Sequence, residues 1–172
     1  MHYSRILSLI GVVVAGIGFL LVSATSDGEA ALPDLSKLNE LFPVGFDNTW
    51  TALYNDTAWA AVLYAIIAVV ALVLAFVPPM SKPMARPYAL GASVLGVVML
   101  VIGIVATMGA MDDADTLQDG FAQAASLGAI PEAFTVSIGY GWYMLIGAGV
   151  LVAAGGIISA VAKPSAGATS AA

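Results

Sequence analysis

The residues best suited to chemistry in this 172-residue chain are four aspartates, Asp112, Asp113, Asp115 and Asp119, gathered in "MDDADTLQDG" at 111–120. Clustered carboxylates can bind hard cations or exchange protons. A calcium loop of the EF-hand kind needs oxygen ligands at positions one, three and five, a glycine at six and a glutamate at twelve. Counted from Asp113, position five is Leu117 and position six is Gln118, so the pattern fails. No lysine, histidine or activated nucleophile lies nearby to complete a catalytic arrangement. The cluster therefore reads as a solvated, negatively charged face that marks a side of the protein.

Other chemistries are limited by composition. Cysteine is absent, which excludes disulfides, thiolate metal sites, iron–sulfur clusters and an acylated lipoprotein cysteine. His2 is the only histidine, and one imidazole at the edge of the chain offers little to a haem or a zinc ion. The residues are 60% hydrophobic and 9% charged, where a soluble domain carries about 25% charged residues. So little charge cannot cover a water-facing surface, and the solvent must be mostly lipid.

Four apolar runs without a charge stand out, at 6–24, 58–77, 88–110 and 135–162. Each has about 19 residues or more and reaches across the hydrocarbon core at about 1.5 Å per residue. Pro78 and Pro79 close the second run, Pro87 opens the third and Pro164 follows the fourth. The first run, with Arg5 before it and "VSATS" at its end, has some features of a signal peptide, but it is long for a signal core and reads as a retained signal-anchor helix. The fold expected is an all-α integral membrane protein, a bundle of four transmembrane helices with short extracytoplasmic loop helices. It forms one domain over 1–164, with a flexible cytoplasmic tail at 165–172.

Charge sets the expected orientation. Arg5, Lys82, Arg86 and Lys163 flank the runs on one side, and all eleven acidic residues with Lys37 lie on the other. The positive-inside rule then makes both termini and the turn "PPMSKPMARP" cytoplasmic, with loops 25–57 and 111–134 outside. Trp50, Tyr54 and Trp59, and likewise Tyr140, Trp142 and Tyr143, fall where outer interfacial anchors belong; Tyr3 and Tyr88 fall at the inner face. In the first loop Leu35, Leu38, Leu41 and Phe42 share a helical face behind Asp34. In the second, Leu117 and Phe121 are one turn apart, Gly128 is placed to end a helix, and Pro131 suits the first position of the last span. Eleven negative charges against one positive give the outer side −10. That face should attract basic extracytoplasmic domains and avoid nucleic acid.

No Asp, Glu, Lys, Arg or His lies inside the four runs. Pumps, proton relays and ion-coupled transporters place ionisable residues at membrane depth. The runs instead carry small residues four apart, Gly11 with Ala15, Ala92 with Gly96, Gly149 with Ala153 and Gly155 with Ser159, which let helix backbones approach closely. With no polar pathway and no catalytic, cofactor-binding or metal-binding constellation, the expectation is a non-enzymatic accessory or assembly subunit of a larger membrane complex. Its partners would be other integral membrane subunits and lipids.

The Ala/Gly/Val-rich spans, the scarce lysine and the tail "KPSAGATSAA" resemble small membrane proteins of high-GC Gram-positive bacteria. In size and four-span layout the chain resembles accessory subunits of the actinobacterial respiratory supercomplex, which joins quinol–cytochrome c reductase to cytochrome oxidase. The resemblance covers the whole chain as a layout and carries no residue motif. It implies a stabilising role beside reductase and oxidase subunits, with no cofactor held by this chain. Two other classes stay open: an oligomeric channel or transporter lined by Ser93, Thr107, Ser137 and Ser159, and a tetraspan-like envelope organiser or sensor acting through its acidic outer loops.

Overall fold

Four helices in the computed structural model are each long and apolar enough to cross a membrane; residues 1–27, 48–130 and 133–162 are described. They are α1 (Tyr3–Leu20), α2 (Thr49–Phe76), α3 (Arg86–Ser126) and α4 (Tyr140–Val161). Two three-residue strands, β1 (Ala24–Ser26) and β2 (Val136–Ile138), pair antiparallel, with Thr25 opposite Ser137. The stretch 34–42 with Lys37, together with Pro131, Lys163, Pro164 and the tail at 165–172, lies outside the described residues.

The starts and stops have local causes. The Asn48 side chain accepts from the Thr51 N–H at 2.9 Å and so caps α2. Gly128 takes φ +70° just after α3, and the backbone bonds Gly128 N–H to Ala125 O and Ala129 N–H to Ala124 O close a Schellman turn. Gly128 thus ends a helix as expected. Within α2, Thr57 leaves helical geometry (φ −147°, ψ 70°), so the straight apolar part begins at residue 58, as the apolar run does.

Four boundaries differ from the sequence reading, one of them the start of α2 at Thr49, ahead of the Thr57 break and inside the loop expected at 25–57. The first helix ends at Leu20, not at residue 24, and the last begins at Tyr140, not at 135. The residues trimmed from the last span include all of β2, and those trimmed from the first run lead into β1, with Ala24 its first paired residue. A short run such as Val136-Ser137-Ile138 is as compatible with a strand as with a helix by hydropathy alone. The third helix does not stop at 110 but continues to Ser126. Among the described residues the second outer loop therefore holds no separate short helix; its helical stretch is a continuation of the third helix. At about 1.5 Å per residue the helix is about 61 Å long, twice the thickness of a hydrocarbon core of about 30 Å. Beyond residue 110 it becomes amphipathic. Ala114 and Phe121 are buried and Leu117 half-buried against Phe134 and Val136, and Asp112, Asp115 and Asp119 fall on the opposite face.

α4 is the packing centre, lying against α1 on one side and α3 on the other. Gly11, Ala15, Ala92, Gly96, Gly149, Ala153, Gly155 and Ser159 are all buried, so the four small-residue pairs are used inside the bundle. A Cβ on Gly149 would stand 2.5 Å from Leu100 N, and one on Gly96 would collide with the backbone of Ala153. The seams are therefore backbone-to-backbone contacts. In lipid, where no hydrophobic effect draws helices together, such close packing is the main attraction. α2 contains no glycine and packs through Ala60, Ala61, Ala68, Ala71 and Ala75, with Leu53, Tyr64 and Ile67 filling the wider spaces.

Candidate functional site

Polar side chains collect at three levels of the bundle. At the basic end, Arg5 is 1% exposed although its guanidinium is charged. Nε donates to Lys82 O at 2.8 Å, Nη1 to Ala75 O and Val77 O at 3.0 and 2.6 Å, and Nη2 to Pro83 O at 3.4 Å. Two of these carbonyls belong to the open C-terminal end of α2, the negative pole of that helix, where a cation is favourable. Arg5 thus fastens the start of α1 to the end of α2 and to the turn at 77–85. In the sequence it is one of four cations that flank the apolar runs; the structure buries it, and hydropathy gives no sign of that, because acceptors 70 and more residues away decide it.

Beside it lies a chain of small polar groups. His2 Nδ1 is 2.7 Å from Ser4 Oγ, and Ser4 Oγ is 2.6 Å from Ser159 Oγ on α4. The Ser4 N–H donates to the same Nδ1 at 3.3 Å, which makes His2 the N-cap of α1. One turn further, Ser8 Oγ is buried without a partner among the described residues.

At mid-depth the Tyr64 hydroxyl donates to Leu145 O at 2.6 Å and ties α2 to α4. Thr107 donates to Gly103 O at 2.7 Å and Ser93 to Ala89 O at 2.9 Å, each one turn back along α3. The four hydroxyls considered as a pore lining are therefore not brought together. Thr107 and Ser159 are buried in seams, Ser93 is half-buried, and Ser137 is exposed on β2 outside every helix.

At the acidic end, residues 21–23 hold the starts of α2 and α4 by their carbonyls. Leu21 O accepts from Thr49 N–H, and Ser23 O accepts from Gly139 N–H at 2.7 Å and from Trp142 Nε1 at 2.8 Å. Trp142 is buried, so it is a core tie and not an interfacial anchor. Trp50 is half-buried and meets the Phe19 ring edge-on at 5.0 Å. Tyr54, Trp59, Tyr140 and Tyr143 stay exposed at this level, as anchors should, and Tyr3 and Tyr88 do so at the other.

The four aspartates of the acidic run sit on continuous helix, not in a loop. Asp112, Asp115 and Asp119 line its open face; Asp113 turns instead toward Asp56 of α2. Partial burial, then the Asp56 carboxylate and more weakly Asp112, raise the Asp113 carboxyl above its ordinary value. Among the described residues no three His, Cys, Asp or Glu side chains converge as a metal site would require. A helix holds its carboxylates apart along its length, whereas a calcium loop wraps them around one point.

Comparison with protein-family models, with curated proteins and with solved structures gives no match.

Proposed function

We propose that this chain is a non-catalytic accessory or assembly subunit of a larger complex in a bacterial cell membrane, with both termini cytoplasmic. The observation that supports this reading is the division of labour among its residues. The seam glycines, Ser4, Ser159, Thr107, Tyr64 and Arg5 are engaged inside the bundle, and two helices keep broad aliphatic faces turned outward. On α2 these are Val62, Ile66, Val69 and Val73; on α3 they are Val94, Val97, Val101 and Val105. Such faces can lie against lipid or against neighbouring subunits. The solvent-facing aspartates of α3 would offer a basic extracytoplasmic domain a charged contact. The layout resemblance narrows the complex to a respiratory supercomplex with reductase and oxidase subunits.

The test is native purification through a C-terminal tag in a mild detergent, with a visible spectrum and mass spectrometry of the co-purifying chains. Haem absorption together with reductase and oxidase subunits is the expected result. A colourless homo-oligomer without partners would overturn the reading and turn attention to flux assays in liposomes.

A further inference from the structure

The His2–Ser4–Ser159 chain has a direction, and the direction makes it sensitive to protons. A backbone N–H can only donate, so the Ser4 N–H at 3.3 Å requires a lone pair on His2 Nδ1. The ring proton of the neutral imidazole must then be on Nε2. The Ser4 hydroxyl, 2.7 Å from the same Nδ1, donates to it too, and the Ser159 hydroxyl donates to Ser4 Oγ at 2.6 Å. Each bond therefore runs from α4 through α1 toward Nδ1. A second ring proton has one place to go, and that is Nδ1.

We propose that His2 is a proton-sensitive latch: its neutral ring caps α1 and ties it to α4, and protonation at Nδ1 releases the cap and the segment that precedes it. A proton taken from solvent onto Nδ1 turns the acceptor into a donor. The Ser4 N–H, on a residue with no exposure, loses its partner, and the hydroxyl chain must reverse. The new charge also sits at the positive end of α1.

Among the described residues, no carboxylate is placed at this end to neutralise that charge. On its own segment the neighbours are the Tyr3 ring at 4.4 Å and Arg5, already spent on backbone carbonyls. The turn at 77–85 contributes Lys82, α3 contributes Arg86, and the described part of α4 contributes only the Ser159 hydroxyl. The described carboxylates, Asp27, Asp56, Asp112, Asp113, Asp115 and Asp119, belong to the opposite end. What the latch holds is visible in the backbone. The His2 N–H donates to Met80 O at 2.9 Å, which lays the segment before α1 over the turn between α2 and α3.

Because the chain has no cysteine, a Ser81→Cys variant accepts one nitroxide on the exposed surface of that turn. The labelled protein would be incorporated into phosphatidylcholine nanodiscs and its side-chain mobility followed by electron paramagnetic resonance over about pH 8 to 5, the range where histidine changes charge. The expected result is a low mobility at the alkaline limit that rises through one midpoint as the pH falls. A His2→Asn variant caps without titrating and should stay immobile throughout; His2→Ala should be mobile throughout. These variants leave the neighbouring cations in place, so they separate the ring from every other charge at this end. A flat curve for the unsubstituted His2, the same midpoint in His2→Asn, or an immobile label in His2→Ala would each overturn the proposal.

Discussion

α4 and α2 are held in the same bundle by opposite means. α4 meets α1 and α3 through Gly11, Gly18, Gly96, Gly103, Gly149, Gly155 and Gly156, positions where an added Cβ would press on a neighbouring backbone or side chain. α2 has no glycine and is held by an alanine face, one tyrosine hydroxyl and the Arg5 clasp at its end. The first mode gives contact along a whole seam with little side-chain entropy to lose. The second concentrates its specificity in a few long-range hydrogen bonds. A seam of backbone contacts tolerates no added atom, whereas point ties can be removed one at a time. The difference between the two modes should be measurable.

The largest effect should come from Gly149→Val. Its Cβ would stand 2.5 Å from Leu100 N, and overpacking at a rigid backbone contact should lower stability by more than about 3 kcal/mol. Gly16→Val on the exposed side of α1 meets nothing within 4 Å and should stay within about 0.5 kcal/mol of the parent. Reversible unfolding in mixed detergent micelles, followed by helical circular dichroism, would measure the gap. Equal losses in the two variants would mean that the seam is not the special feature.

Next in size is Arg5→Met, which keeps length and packing but removes the donors to four carbonyls. Hydrogen bonds from a charged donor contribute about 1.5–3 kcal/mol each, and desolvation of the guanidinium offsets part of that. A net loss of about 3 kcal/mol is expected in the same unfolding assay, together with faster proteolysis at the turn 77–85. Lys at this position offers three donors on a flexible stem instead of a planar fork, so Arg5→Lys should recover only part of it.

The smallest effect belongs to Tyr64→Phe. It removes the 2.6 Å bond to Leu145 O and leaves the ring in place. Inter-helix hydrogen bonds in a membrane average about 0.6 kcal/mol, and a loss of that order is expected. A loss several times larger would show that α2 depends on this one tie far more than on its alanine face.

Hydropathy and composition were enough to find the four spans, because the hydrocarbon core imposes a length and an apolar character that few other constraints can imitate. The small-residue pairs could also be read in advance, since their spacing repeats the helical period on one face. Gly128 was equally legible, because a left-handed residue after a helix is most easily a glycine. The acidic run could be read as lacking an EF-hand loop, because its spacing puts Leu117 and Gln118 where that loop needs a ligand and a glycine.

What remained hidden depended on partners distant in the chain. Arg5 looks like any flanking cation until the carbonyls of Ala75 and Val77 are brought beside it. Trp142 looks like any interfacial aromatic until Ser23 O comes within 2.8 Å of its ring nitrogen. His2 becomes a cap only when α1 starts at Tyr3, and part of an inter-helix chain only when Ser159 of α4 arrives 2.6 Å from Ser4. Residues 24–26 and 136–138 are strands only because they meet each other. A sequence determines which segments prefer lipid through the sum of many equivalent side chains, and that sum survives any arrangement. A single hydrogen bond has no such redundancy, so only the tertiary structure decides where each polar group finds its partner.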